Sequence, residues 1–110
     1  MEPARLSTEP DPAEIRRAIR EHRLVEFYYV GELCTVEPYI LGLGKRYQSP
    51  VLLGWDESSG WKEFSCVRIR RLRVLDRYYR NSRDDYDPAT PRIRQVDTAA
   101  AVIGRATEVH

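Results

Sequence analysis

A chain of 110 residues makes one domain with one modest core. Its net charge of +1 argues against a globally basic nucleic-acid binder, and no apolar run approaches the ~20 residues of a membrane span. The two cysteines, Cys34 and Cys66, match neither a metal-ligand spacing nor a disulfide-dense scaffold, so they read as small buried side chains.

Residues 1–10 are polar, carry Pro3 and Pro10, and read as a loose arm. The N-terminus is acidic rather than basic then apolar, so no secretory leader is read and a cytoplasmic protein is the expectation. Asp11-Pro12-Ala13-Glu14 starts a helix: Asp11 caps, Pro12 suits the first helical position, and Glu14 closes a capping box. Ile15, Ala18, Ile19 and His22 recur at helical spacing, which predicts a helix over 12–22 with one buried stripe. Strand patterns follow. Leu24 to Val30 places Val25, Phe27 and Tyr29 on one face, and Gly31-Glu32 suits a type II′ hairpin turn. Leu33 to Leu41 is the second strand, in which Pro38 marks an edge or a bulge because it has no N–H to donate.

Gly42 to Arg46 reads as a basic loop, Val51 to Asp56 as a central strand, and Glu57-Ser58-Ser59-Gly60 as a turn. Trp61–Cys66 and Arg71–Leu75 are the last two strands. One helix and five short antiparallel strands predict a mainly β protein built as a small barrel, which removes exposed sheet edges. The barrel domain is drawn at 11–77 and a C-terminal extension at 78–110. In that extension, Asp87-Pro88 and Thr90-Pro91 preclude a long regular element. Residues 97–104 are either a helix ending at Gly104 or an extended segment docked on the barrel.

Charge is unevenly placed. Residues 68–83 hold seven arginines against Asp76 alone, and the chain has 16 Arg but only 2 Lys. Guanidinium groups bind phosphate and carboxylate bidentately, so the run reads as an anion-receiving surface. Lys62 and Arg68 are its expected anchor, on one recessed face. Arg70, Arg71 and Arg73 form an outer phosphate track or, on the plainer reading, a solvated strand face that discourages edge pairing. Tyr47, beside Lys45 and Arg46 in a polar loop, is an aromatic platform for bases. Tyr28, Tyr39, Trp55 and Trp61 are also aromatic candidates, most of them expected in the core. No nucleophile with a base partner, no paired carboxylates, no metal spacing and no Gly-rich phosphate loop appears, so neither an enzyme nor a cofactor is expected.

The order of pieces resembles the WYL domain. Phe27-Tyr28-Tyr29, Val36-Glu37-Pro38, Leu52-Leu53-Gly54-Trp55-Asp56, Lys62-x-Phe64, Arg68-Ile69 and Val74-Leu75-Asp76 carry the resemblance, which spans 12–77. Lysine stands for the family's first arginine, Cys66 and Val67 for its Leu-Asp, and Pro50-Val51-Leu52 for the name-giving Trp-Tyr-Leu. The resemblance implies an Sm-like (SH3-like) five-stranded antiparallel barrel with an N-terminal helix; typical members attach a helix-turn-helix domain before the barrel, and this chain, with its one N-terminal helix, is expected to be a stand-alone WYL-like domain. It also implies regulatory recognition of an anionic ligand, single-stranded nucleic acid or a nucleotide, in bacterial regulation. The rival expectation is a protein-interaction module that docks a separate DNA-binding or effector subunit. Self-association as a homodimer is left open.

Overall fold

The computed structural model describes residues 10–45, 48–80 and 83–102; the expected arm at 1–9 and the loop positions Arg46 and Tyr47 lie outside them. Helix α1 spans Pro12–Glu21, one residue shorter than predicted. The Asp11 carboxylate accepts the Ala13 N–H at 2.9 Å, and Pro12 opens the first turn, where its missing N–H costs nothing. His22 closes the helix in the left-handed region at φ 56°, with its N–H turned back to the Ala18 and Ile19 carbonyls. Ile15, Ala18 and Ile19 are buried, as their spacing predicts.

The chain then forms β1 (Arg23–Tyr29), β2 (Glu32–Gly44), β3 (Pro50–Asp56) and β4 (Gly60–Ser65). A single 3-10 turn, Cys66–Arg68, leads into β5 (Ile69–Tyr78), and β6 (Ile93–Ala99) follows. The strands pair antiparallel in the order β4-β3-β2-β1-β5, with β6 on β2. The fold is therefore mainly β, with one helix and a strongly curled sheet. Curling is visible in the side chains: Phe64 of β4 meets Phe27 and Tyr29 of β1 edge to face, each at 5.0 Å between ring centroids, although two strands separate β1 from β4 in the sheet. The Tyr29 hydroxyl also accepts the Ser65 N–H at 3.0 Å. Val25, Phe27, Val36, Ile40, Val51, Leu52, Phe64 and Ile69 fill the interior, with the α1 stripe against them.

Three local predictions are corrected. The hairpin turn lies one residue earlier than Gly31-Glu32. Val30 at φ 48° and Gly31 at φ 83° are its central pair, and two positive φ angles match type I′ rather than II′. β2 runs to Gly44 instead of Leu41, because its C-terminal half finds a partner in β6. Gly42 permits that pairing: a Cβ there would run into the Gln95 carbonyl and Ile93. β5 begins at Ile69 rather than Arg71, and it reaches Tyr78.

Of the ambiguous segment 97–104, residues 97–99 are extended as the end of β6, and residues 103–104 lie outside the described residues. Tyr79, Tyr86, Ile93 and Ala100 enter the same core as the barrel strands. The Tyr79 hydroxyl donates to the Pro38 carbonyl, and the Tyr86 hydroxyl donates to that of Ala100 at 2.9 Å. Pro38 sits at a bulge, one of its two predicted roles.

Two stability predictions follow from this packing. Ile19→Ala should cost about 2–5 kcal/mol, read as a lowered denaturant midpoint; an unchanged midpoint would mean that α1 does not contribute its stripe to the core. Val30 is β-branched, exposed and left-handed, a conformation that costs about 1–3 kcal/mol outside glycine. Val30→Asn should raise the midpoint by the equivalent of about 1 kcal/mol, since Asn-Gly is the preferred type I′ pair. A lowered midpoint would show that Val30 makes a contact worth more than its strain.

Candidate anion-binding edge

The connection from β4 to β5 is the site the sequence singled out. Cys66 and Ile69 are buried on either side of Val67 and Arg68, so these two side chains face solvent. The Ile69 N–H bonds the Cys66 carbonyl. The Arg70 guanidinium reaches back through Nη1 to the Val67 carbonyl at 2.7 Å and the Ile69 carbonyl at 3.0 Å. Arg70 thus fastens the turn rather than projecting as part of a track.

The rest of the basic run divides sharply. Arg73 places Nε and Nη2 on Glu26 Oε1 at 3.0 and 2.8 Å. Arg77 pairs with Glu57 at 3.2 Å. Arg83 grips both Glu37 oxygens at 2.9 Å and lies 3.5 Å above the Trp55 ring. Arg68, Arg71 and Arg80 have no hydrogen bond or ion pair among the described residues. Arg71 also sits in a β-bulge, where β5 supplies an extra residue between its Arg70–Tyr28 and Arg73–Glu26 pairs, and it adopts φ 57°.

Lys62 occupies a different setting from Arg68. It lies opposite Gly54 in β4, with Nζ 5.3 Å from the Phe64 ring centroid. Its charge also acts on Asp56 and on the Cys34 thiol. Asp56 is a buried carboxylate whose Oδ1 accepts the Ser58 N–H at 2.9 Å and the Ser58 hydroxyl at 3.0 Å. Burial alone would raise its pKa; hydrogen bonds from Ser58 and Ser59 together with Lys62 outweigh that and hold it below its ordinary value. Lys62 lies near the Phe64 ring in β4, whereas Arg68 is exposed in the 3-10 turn, and no hydrogen bond or ion pair among the described residues links the two.

The aromatic candidates are mostly committed. Tyr39 is fully buried, with Trp61, Tyr79 and Tyr86 within 5.0 Å or less of its ring centroid. Trp61 Nε1 donates to Asp85 at 2.8 Å. Tyr28, by contrast, is 44% exposed on the outer face of β1. The cysteines are free and buried, and burial pushes the Cys66 thiol up to about 12, which makes it a poor nucleophile at neutral pH.

A second concavity went unread in the sequence because its walls are far apart in the chain. It is a cleft of about 450 Å³ lined by Ile15, Leu41, Cys66 and Val96, with Arg16 and Asp97 also contributing to it. Arg16 Nε and Nη2 bond Asp97 at 2.9 and 3.1 Å, tying α1 to β6. None of the described anion-site candidates, Lys62, Arg68, Arg70, Arg71 and Arg73, lines it.

An N-terminal helix, a curled five-strand path and a 3-10 turn before its last strand define a mainly β protein of the small-barrel class. Among solved structures, the chain is similar to proteasome accessory factor B/C (PafBC) of Arthrobacter aurescens, with a TM-score of 0.57 and 20% identity. The match covers 74% of this chain and 15% of that one, so the chain spans only a small part of PafBC's length. At that identity the likeness shows the fold alone. No protein-family model and no curated protein matches the chain. Among the described residues no helix is long and apolar enough to cross a membrane.

The effect of the Lys62 charge on Asp56 gives a pH prediction. Asp56 has a depressed folded-state pKa, so its contribution to stability is present above its ordinary value of 3.8 and is lost as pH falls through the folded value. Lys62→Met removes one of the groups that lower it. The acid-unfolding midpoint, followed by circular dichroism, should therefore move to higher pH. A midpoint that stays in place would show that Lys62 does not stabilise the Asp56 carboxylate.

Proposed function

We propose that this chain is a regulatory, non-catalytic domain that recognises an anionic ligand, single-stranded nucleic acid or a nucleotide, in bacterial transcription or defence. The observation that carries the reading is the division of the arginine run. Arg73, Arg77 and Arg83 are held by carboxylates, while Arg68 and Arg71, in and just after the exposed β4–β5 connection, have no hydrogen bond or ion pair among the described residues. Exposed guanidinium groups not engaged by carboxylates are available to bind phosphate bidentately. The resemblance to the WYL pattern, with Lys62 and Arg68 at its basic positions, supports the same reading. In it, Arg68 and Arg71 contact the anion, Lys62 adds charge from the barrel side, and Arg73 acts indirectly by neutralising Glu26.

A second reading, a protein-docking module, is favoured by one observation. Val30, Leu33 and Val67 are exposed apolar residues, at 70%, 54% and 45%.

The test is equilibrium binding of labelled single-stranded DNA, RNA, duplex and nucleotides at two salt concentrations. A charge-assisted contact is worth about 1.5–3 kcal/mol, so Arg68→Ala should weaken binding about tenfold or more while leaving the thermal melt unchanged. Arg73→Ala should weaken it modestly and flatten the salt slope. Arg68→Ala binding every ligand as the parent does would remove Arg68 as the anchor. A parent that binds none of them would leave the docking module as the better account.

A further inference from the structure

The partner pattern seen for the arginines repeats among the aromatic side chains. Phe27, Tyr29 and Phe64 pack on one another inside the barrel. Tyr39, Trp61, Tyr79 and Tyr86 form a second cluster. Trp55 lies under Arg83 and Tyr78 under Arg23. Among the described residues, Tyr28 is the one aromatic side chain with no ring contact, no cation and no hydrogen bond.

Its place in the sheet is informative. Tyr28 lies directly opposite Leu33 of β2 on one side and Arg70 of β5 on the other, so the three share one row on the outer face. Arg70 is drawn away to the turn carbonyls, which leaves the ring uncovered. Arg68 precedes β5 by one residue, and Arg71 occupies the bulge immediately after Arg70, so the two free cations flank this row along the chain. The next row holds Glu26, whose charge Arg73 neutralises, so it does not repel an approaching phosphate.

The geometry points to Tyr28 as a base-stacking platform, with Leu33 beside it and Arg68 and Arg71 receiving the flanking phosphates of a single strand. This rests on the anionic-ligand reading and narrows it: the ligand is a single-stranded nucleic acid with accessible base faces, bound across β1, β2 and β5. A duplex hides those faces, and a free phosphate has none.

The experiment compares a short single-stranded oligonucleotide with an abasic strand of the same length and charge, measured by fluorescence anisotropy against the parent, Tyr28→Ala, Tyr28→Phe and Arg68→Ala. The parent should prefer the intact strand. Tyr28→Ala should weaken intact-strand binding by about tenfold and abasic binding hardly at all, while Tyr28→Phe keeps the parent's preference. Arg68→Ala should weaken both strands alike. Tyr28 is on the surface, and matching thermal melts for its variants check that the fold is kept. If the parent binds both strands equally and Arg68→Ala weakens both, the stacking platform is wrong and the anionic reading survives. If the parent binds neither strand, the stacking platform falls, and the anionic reading then stands only on nucleotide binding.

Discussion

The architecture depends on β2, a strand that must satisfy more neighbours than one straight edge can hold. On one side, residues 32–36 pair with β1 and residues 40–44 with β6; on the other, residues 36–43 pair with β3. Pro38 lies where β1 has ended and β6 has not begun. A residue with no N–H causes no loss there, and the register shift between Pro38 and Ile40 bends the strand. The Pro38 carbonyl, left outside the β1 and β6 ladders, is taken by the Tyr79 hydroxyl. That bend accompanies the curl that brings Phe64 onto Phe27 and Tyr29, and it opens the edge to which β6 attaches. The cleft beside α1 exists for the same reason, since Leu41 and Gly42 form one wall and β6 the other.

The electrostatics of the surface follow from partners the chain supplies at long range. Glu26, Glu37 and Glu57 lie 20 to 47 positions away from the arginines they hold. Each such pair is exposed on at least one side or only half-buried, so none adds much to stability, typically about 0–1 kcal/mol. Their larger consequence is selective silence. By occupying Arg73, Arg77 and Arg83, they leave Arg68 and Arg71, near the β4–β5 connection, and Arg80, after β5, as the arginines of the run without a hydrogen bond or ion pair among the described residues.

Much of the fold was legible because the informative signals were local. The Asp11-Pro12 start, the Ile15–Ile19 stripe and the alternation of Val25, Phe27 and Tyr29 each depend on neighbours within a few residues, and all three elements form as read. The hairpin register slipped because Gly31 alone was taken as the positive-φ residue, while Val30, the least expected type at such a position, shares that role. The end of β6 is ambiguous in the sequence because Thr98 and Ala99 find their context only against Leu41 and Ile40, more than fifty positions earlier. For the candidate site, the sequence located the basic run and the outward direction of Tyr28. It did not distinguish engaged arginines from free ones, because strand order decides which carboxylate faces which guanidinium.

Backbone strain falls near the same edge. Among the described residues three non-glycine residues have left-handed φ angles, and one of them, His22, is an ordinary helix cap. The other two are Val30, two residues after Tyr28 at the hairpin tip, and Arg71, one residue after Tyr28's cross-strand partner Arg70. Glycine would adopt either conformation without the cost of roughly 1–3 kcal/mol that a side chain brings. Arg71 instead keeps a cation at the bulge, and the bulge places an unpaired residue between the Tyr28 and Glu26 rows. In the proposed reading that exposed guanidinium, held at the bulge beside the Tyr28 row, is one of the groups that meets the anion.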